Sequence, residues 1–465
     1  MSWAVAAVPV KDRFALGEAI PVRIRATYRG PGQALRPDLG GGAPSAPLIE
    51  LQHEGELAQV HSSAVNDPSR AQPHLQLVAA GQTVTGTLRI DEWVEELATG
   101  RYVGRIVLRD GGDASLPFVF HVEELVPLAH VTAPVDAAGG SRRTVLWLTH
   151  REEGARLLLA WPDNEEWVVH DAGETDREAK IALGVLPPDE WDRRSWVVTL
   201  EKGSLVRRFV GGEPLVTSFE PTAIGLERPL ILGAAGGRRE EEERRPSLHV
   251  ALAGSGEVLA LDFDRARGAA RIARRPLPAP PLAGALVATS NGERIILVLV
   301  PGPGEAVLLA APWGDAGLGE LREVLRAKGT ALSLGAVVEP GPRVRAVLLA
   351  RDAREPGDLE LRAAFLGTGA RLAEPPRDPY WIAADRVPSG VERLELRLGP
   401  SGERRILGRL DGSAVLVAPG SKEAIALPSC DGPVELDFVG PGRVRALLLD
   451  RTRGLQASLL SPVEV

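Results

Sequence analysis

One stretch of the sequence occurs twice in nearly the same form, at residues 339–352 and 439–452, which read EPGPRVRAVLLARD and VGPGRVRALLLDRT. In both copies a Gly/Pro turn is followed by an arginine and then by an apolar segment typical of a buried strand. Weaker copies occur elsewhere, and the leading arginines are spaced by 51, 51, 49, 49, 50 and 50 residues: Arg143, Arg194, Arg245, Arg294, Arg343, Arg393 and Arg443. A fixed period near 50 residues indicates one supersecondary unit repeated along the chain.

The repeats occupy residues 126–465 and are predicted to form seven units. Their expected starts are near Leu128, Ala179, Pro229, Pro281, Ala331, Tyr380 and Pro433. Each complete unit has room for four strands, and the helical apolar spacing of an α-solenoid is missing. Four strands per unit at this period resemble the blades of a β-propeller, without the signature of a named repeat family. The sequence therefore predicts an all-β protein with a seven-bladed propeller, whose short last unit lacks a fourth strand. Either the linker near residues 122–126 supplies that strand and closes the ring, or the last blade is three-stranded.

Residues 1–125 form a different block of short segments in which polar and apolar residues alternate, as in residues 21–28. Seven or eight such segments, separated by turns, predict a β-sandwich, and the Gly/Pro-rich run 30–45 predicts a loop. The stretches 16–24, 78–88 and 99–108 resemble bacterial immunoglobulin-like domains in their order of turns and strands. This resemblance implies an immunoglobulin-like sandwich over residues 1–125, and it carries over no activity.

Composition restricts the class of protein and its compartment. The formal net charge is -8 and the isoelectric point is about 5.7, which argues against a surface built for nucleic acid, although a local basic patch stays open. The single cysteine, Cys430, excludes an internal disulfide, and its sequence context predicts no activated thiolate. The first residues lack the features of a signal peptide, and no apolar run has the length of a membrane span. These features predict a cytoplasmic protein.

The repeated arginines are the first candidate binding residues. Turns between the first and second strands of every unit are expected on one face, so the seven arginines are predicted to form a ring there. Such a ring could bind phosphate groups, an acidic peptide or a nucleic-acid backbone. The alternative is structural, with each arginine inherited by duplication and paired with a carboxylate.

Tryptophans are the second candidates, since five of the nine lie between residues 147 and 196 among acidic residues. Trp161, Trp167 and Trp191 adjoin polar turns and could contact a partner, because tryptophan is enriched in binding hot spots. The alternative for all three is packing within the sheets.

No linear motif for a nucleotide, a metal or a catalytic nucleophile is present, and the sequence predicts no cofactor. The first hypothesis is a non-enzymatic interaction or scaffold protein that binds a protein partner through a propeller face and the immunoglobulin-like domain. The second is a propeller enzyme acting on a small molecule or sugar at the channel mouth, and the third is an anion or nucleic-acid binder using the arginine ring. Two carboxylates and a histidine at one end of the channel would favour the enzyme, whereas a closed, apolar or arginine-lined channel would favour binding.

Overall fold

The computed structural model of the chain describes residues 2–37, 39, 47–61, 76–94, 97–109, 113–134, 143–151, 154–163, 166–185, 195–210, 216–218, 222–237, 247–263, 270–289, 292–338, 343–351, 358–373, 384–386, 391–399, 404–417, 424–428, 430, 433–440, 443–450 and 454–460. In these residues the chain is all-β, and the helical structure consists of two 3-10 turns, Ile90–Glu92 and Thr368–Ala370. No described helix is long and apolar enough to cross a membrane. The chain divides into two compact units. The first contains Met1–Val126, Val168–His170 and Asp450–Leu455, and the second contains Pro127–Trp167, Asp171–Leu449 and Gln456–Val465.

The first unit contains two larger sheets and a two-stranded ribbon. Its strands are β1 (Trp3–Pro9), β2 (Arg13–Ala15), β3 (Pro21–Tyr28), β4 (Gln33–Leu35), β5 (Leu48–His53), β6 (Gln59–His61), β7 (Leu77–Ala79), β8 (Thr83–Arg89), β9 (Gly100–Val107) and β10 (Phe118–Glu123). One sheet has the order β1-β3-β8 and the other β2-β10-β9-β5-β6, while β4 pairs with β7. Strand β4 falls inside the run that was expected to be a loop.

The core of the first unit follows from the alternation along its strands. In β3 the buried residues Val22, Ile24 and Ala26 alternate with exposed or half-buried ones, as the period-two pattern predicts. On the other sheet Phe14 and Phe120 are buried and meet edge to face, with ring centroids 6.1 Å apart. Strand β1 contacts both β9 and β10, so the two sheets pack against each other.

The described strands of the second unit form seven successive sheets. The first three contain β11 (Pro127–Pro134), β12 (Arg143–His150), β13 (Ala155–Asp163) and β14 (Glu166–Thr175); β15 (Lys180–Val185), β16 (Ser195–Glu201), β17 (Ser204–Val210), β18 (Val216–Ser218) and β19 (Thr222–Ala223); and β20 (Leu230–Gly237), β21 (Ser247–Gly254), β22 (Glu257–Phe263) and β23 (Ala270–Pro276). The fourth and fifth contain β24 (Ala283–Ala288), β25 (Arg294–Gly302), β26 (Glu305–Gly314), β27 (Gly317–Leu318) and β28 (Arg322–Lys328); and β29 (Thr330–Val338), β30 (Val344–Arg351), β31 (Asp358–Leu366) and β32 (Ala384–Arg386). The sixth and seventh contain β33 (Glu392–Leu398), β34 (Arg404–Leu410), β35 (Ser413–Val417) and β36 (Ala424–Ala426); and β37 (Val434–Gly440), β38 (Arg443–Asp450) and β39 (Gly454–Leu459). Neighbouring strands follow the chain order within each sheet, except that β19 pairs with β17 and β28 pairs with β26, and the seventh sheet has three described strands.

The apolar core of this unit lies between consecutive sheets. Strands such as β21, β25 and β30 are buried along nearly their whole length, which explains why they are continuous apolar runs instead of alternating ones. One cluster, for example, joins Leu297 and Leu308 of the fourth sheet to Leu348 of the fifth. Similar clusters join the second sheet to the third, the third to the fourth, the fifth to the sixth and the sixth to the seventh. The third to the sixth sheets are therefore each covered by both of their neighbours in the sequence.

The first strands of the sheets are neighbours as well, from β11 through β15, β20, β24 and β29 to β33. Glycines recur in four of them, at Gly184, Gly233, Gly284 and Gly335. At Gly284 a Cβ atom would lie 2.5 Å from both Leu232 Cδ2 and the carbonyl oxygen of Leu297, so a side chain there would collide with the neighbouring strands. The sixth sheet begins at Glu392, although the period places it near Tyr380, because β32 of the fifth sheet occupies residues 384–386.

Candidate functional site

Four of the first strands, β11, β29, β33 and β37, surround a cavity of about 390 Å³. Its polar lining side chains are His130, Thr132, Glu395, Arg397 and Glu435. These residues come from the first, sixth and seventh sheets, so the beginning and the end of the repeat region meet at this cavity.

Glu435 is the side chain that connects these strands. It lies on β37, and its carboxylate is only 7% exposed. Oε1 accepts hydrogen bonds from Arg397 Nε at 2.5 Å and from its neighbouring backbone N–H, that of Leu436, at 2.9 Å. Oε2 accepts a hydrogen bond from Thr132 Oγ1 at 3.3 Å and lies 3.9 Å from His130 Nε2. One buried carboxylate therefore joins β37 to β33 on one side and to β11 on the other.

Arg397 is held by two carboxylates and a carbonyl group. Besides Glu435, it donates from Nη2 to Glu395 Oε2 at 2.7 Å and from Nη1 to the carbonyl of Leu396 at 3.3 Å. Burial acts to lower the pKa of Arg397, but attraction and hydrogen bonding to Glu435 and Glu395 outweigh burial and raise the pKa. The Glu395 side chain is 55% exposed, so one member of the cluster remains accessible to a ligand.

His130 completes the polar wall on β11. Burial lowers the pKa of His130 and Arg397 acts in the same direction, while the attraction of Glu435 opposes them. The ring is therefore neutral near pH 7 and offers one nitrogen as a donor and the other as an acceptor.

The arginines predicted as a ring are placed differently from one another. Arg143, Arg294 and Arg443 are the first residues of the second strands β12, β25 and β38, and Arg343 immediately precedes β30. Arg393 departs from this pattern, since it lies in the first strand β33, with a φ of 51°. Arg194 and Arg245 lie outside the described residues.

Arg294 is held between two sheets without a direct carboxylate partner in the described contacts. Its Nη1 lies 3.1 Å from His249 Nε2, and its guanidinium stands 5.0 Å from the ring centre of Trp313. His249 Nδ1 lies 3.1 Å from Asp262 Oδ1, and the proximity of His249 lowers the pKa of Asp262. Burial lowers the pKa of Arg294. The side chains of Arg343 and Arg393, by contrast, are exposed.

The predicted tryptophans offer little described contact surface. Trp161 lies in β13 and is only 5% exposed, which assigns most of its area to packing. Trp167 is part of β14, and Trp191 lies outside the described residues. Cys430 is half-buried and packs against the cluster that joins the sixth and seventh sheets. Within the described part of the chain no group of three His, Cys, Asp or Glu side chains could hold a metal ion.

The polar residues of the cavity were not among the sequence-predicted sites. A signal for them exists, because β33 reads ERLELRL and β37 reads VELDFVG, with charged residues at every second position of strands that begin a unit. In the corresponding strands β20 and β24 the residues are Gly, Ala, Leu, Ile and Val. Charged residues at alternate positions of a first strand are therefore the feature that marks this wall of the cavity.

The chain matches no protein-family model and no curated protein. Among solved structures it is similar to a 6-phosphogluconolactonase-like protein from Bacteroides uniformis, at 11% identity over 78% of this chain and 96% of that chain, with a TM-score of 0.38. It is similar to the six-bladed β-propeller lectin of Aleuria aurantia at 13% identity over 72% and 95% of the two chains (TM-score 0.38), and to an ulvan lyase at 9% identity over 70% and 89% (TM-score 0.39). Similarity at this level assigns neither a blade number nor a function, which must be argued from the chain itself.

Proposed function

We propose that the second unit is a seven-bladed β-propeller whose first strands line a central channel. Three features support this proposal: seven successive antiparallel sheets, cores between consecutive sheets, and first strands that are neighbours in chain order. Glu435 supports a closed ring, because it bonds Arg397 on one side and Thr132 on the other.

We propose an immunoglobulin-like fold for the first unit. In that fold strands A, B and E lie in one sheet and C, F and G in the other. The orders β1-β3-β8 and β10-β9-β5 correspond to A-B-E and G-F-C. Tyr102, near the start of β9, donates from its hydroxyl to the carbonyl of Ala98 at 3.0 Å, as the tyrosine corner of such domains does before strand F.

For the function, we propose that the channel cavity binds a small polyhydroxylated ligand of the carbohydrate class. The observation that carries this proposal is the polar wall of His130, Arg397 and Glu435 on a cavity of about 390 Å³, a size typical of small-molecule sites. Neutral imidazole, hydroxyl and carboxylate groups supply both donors and acceptors, which is what a ring of hydroxyl groups requires. The network around Glu435 holds these groups in place before a ligand arrives, which reduces the entropic cost of binding.

The same contacts favour binding over catalysis at this site. A general acid or base needs a carboxyl group that can exchange a proton with the substrate. Both oxygens of Glu435 already accept hydrogen bonds within the protein, and one of them faces a guanidinium group. Such a carboxylate is a fixed acceptor and a poor proton carrier. The two carboxylates and the histidine that would favour an enzyme are present, but both oxygens of the central carboxylate, Glu435, already accept hydrogen bonds within the protein.

The test is ligand-observed NMR on the full chain with a set of neutral hexoses and disaccharides, followed by titration of those that bind. Replacing His130→Ala should weaken binding roughly fivefold or more, because one lost hydrogen bond is worth about 1 kcal/mol. His121→Ala, a matched change of a half-buried histidine on β10 of the first unit, should leave the affinity unchanged. If no sugar binds, neutral or amino, or if both variants lose affinity equally, the proposal is refuted.

A protein partner for the first unit is a second proposal. Leu35 and Leu77 are paired across β4 and β7, and they are 50% and 58% exposed. A paired apolar patch of this kind is a common feature of protein contact sites. Co-purification with the native protein and with a Leu35→Ser/Leu77→Ser variant tests it: a partner lost only from the variant supports a scaffold role, and an unchanged set of partners contradicts it.

A further inference from the structure

The charged groups of the cavity indicate which charge its ligand should carry. This inference rests on the carbohydrate-binding function proposed above. The titratable lining groups are His130 on β11, Glu395 and Arg397 on β33, and Glu435 on β37. The fourth wall, β29, contributes Gly335 and Ala336, which carry no charge. With a neutral His130, one guanidinium faces two carboxylates, and the wall carries one net negative charge.

The guanidinium group of Arg397 already makes three hydrogen bonds within the protein. Its Nε and Nη2 atoms each donate to a carboxylate, and its Nη1 atom donates to the carbonyl of Leu396. An arginine that binds a ligand carboxylate or phosphate presents two parallel N–H groups to it. An anionic ligand at the remaining N–H groups of Arg397 would lie close to Glu395 and Glu435, which repel it.

A second arginine lies close by without changing this arrangement. Arg405 is opposite Arg397 in the register of β33 and β34, and its Nη1 donates to the carbonyl of Arg404 at 2.7 Å. It is not among the residues that line the cavity. The charged groups that a ligand meets are therefore those of β33 and β37.

Glu395 is the carboxylate that a ligand can reach. Its Oε2 accepts from Arg397, yet more than half of the side chain is exposed, whereas Glu435 is 7% exposed. A carboxylate has about four lone-pair directions, so Glu395 can accept further hydrogen bonds besides that of Arg397. An ammonium group donates three hydrogen bonds and complements the negative charge.

We infer that the cavity selects hydroxylated ligands that carry a primary ammonium group, of the amino-sugar class, and discriminates against sugar acids and sugar phosphates. Glu395 is the residue that sets this preference, by contacting the ammonium group. The hydroxyl groups of the ligand contact His130 and Thr132 on the opposite strand β11.

The test uses matched sugars that differ only in charge: an amino sugar, the neutral sugar and the uronic acid, each in the gluco, galacto and manno series. Their affinities for the full chain are measured by calorimetry at low salt and slightly acidic pH, where the amines are protonated. In at least one series the amine should bind roughly five- to tenfold more tightly than the neutral sugar, and the acid should bind more weakly than both. The reason is that solvent only partly screens the attraction of Glu395 for the ammonium group and its repulsion of the ligand carboxylate. Glu395→Gln should bring the amine and the neutral sugar within about twofold of each other.

Glu392→Gln is the control, because Glu392 is exposed on the same strand and lies outside the cavity wall, and the substitution changes the net charge equally. It should preserve the preference for the amine. The ranking in the unmodified protein decides whether the cavity prefers amines, and the Glu395→Gln variant decides whether Glu395 is the cause. If neutral sugars bind but amines have no advantage, or if acids bind best, the inference is wrong and the proposed function stands. If none of the nine sugars binds, the proposed function itself is wrong. A preference that survives Glu395→Gln removes Glu395 as its cause.

Discussion

The contacts of Glu435 make a quantitative prediction about stability. Glu435→Gln keeps the size of the side chain but removes its negative charge and replaces one acceptor oxygen with a donor NH₂ group. The hydrogen bond from Arg397 then loses a charged acceptor, and Glu395 becomes the only carboxylate bonded to that guanidinium. We expect the second unit to be less stable, because Glu435 joins its last sheet to its first.

The size of the effect follows from the burial of the pair. Breaking a fully buried ion pair costs about 3–5 kcal/mol, because an uncompensated charge remains inside the protein. Arg397 is 18% exposed and retains Glu395, which places the expected loss in the free energy of unfolding lower, at about 2–3 kcal/mol.

The assay is urea unfolding followed by tryptophan fluorescence, to which buried Trp147, Trp196 and Trp313 of the second unit contribute. The control is Glu360→Gln, which removes the carboxylate bonded to Arg362 on β31 where both side chains are partly exposed. That change should cost no more than about 0.5 kcal/mol. If Glu435→Gln unfolds at the same urea concentration as the unmodified protein, or if the control costs as much, Glu435 does not hold the first and last sheets together.

Four further predictions follow from single contacts. Arg294→Ala should lower the free energy of unfolding by about 2 kcal/mol, because the contacts to His249 and Trp313 are lost. Arg343→Ala, at an exposed side chain, should change the free energy of unfolding by less than about 0.5 kcal/mol. Equal losses for the two variants in urea unfolding would contradict the different placement of these arginines. Burial depresses the pKa of His130 below its ordinary value of 6.5, so the unfolded chain binds the proton more readily and stability should fall as the pH drops below about 6.5. His130→Gln should remove this part of the pH–stability curve, and an unchanged curve would contradict burial as the cause of the shift. Gly284→Ala should cost about 1–3 kcal/mol in thermal unfolding, because its Cβ would collide with Leu232 of β20 and with the carbonyl oxygen of Leu297 of β25, and a neutral result would show that β24 is not in close contact with these strands. Cys430→Ser should leave folding and sugar binding intact, and a loss of binding with folding preserved would give the thiol a role at the site.

The sequence was informative about the repeat because each unit buries the same kind of strand. An apolar run after an arginine predicts the starts of β12, β25, β30 and β38 within a residue, since a strand covered on both faces needs continuous apolar side chains. The sixth sheet was misplaced by about twelve residues, because the fixed period could not register β32 of the preceding sheet. The ribbon β4–β7 was missed for another reason: β4 lies in a Gly/Pro-rich run that gives no strand signal.

The candidate site was much harder to predict than the fold. Glu395, Arg397 and Glu435 are unremarkable in the sequence, because alternating charge is also the pattern of a strand with a solvated face. What distinguishes them is that β33 and β37 are first strands, which requires knowledge of where each sheet begins. The contact between Glu435 and Thr132 joins residues 303 positions apart, a separation that no local pattern encodes. The arginines were misleading for the opposite reason. Their regular spacing suggested a shared role, but Arg294 is partly buried beside His249 and Arg393 is exposed.

The most direct test of the central claim is a crystal structure of the full chain soaked with the sugar that binds most tightly in calorimetry. We predict one sugar in the cavity between β11, β33 and β37, with hydroxyl groups within hydrogen-bonding distance of His130 and its charged or polar substituent next to Glu395. A sugar that binds on an outer surface while the cavity holds only water would contradict the claim.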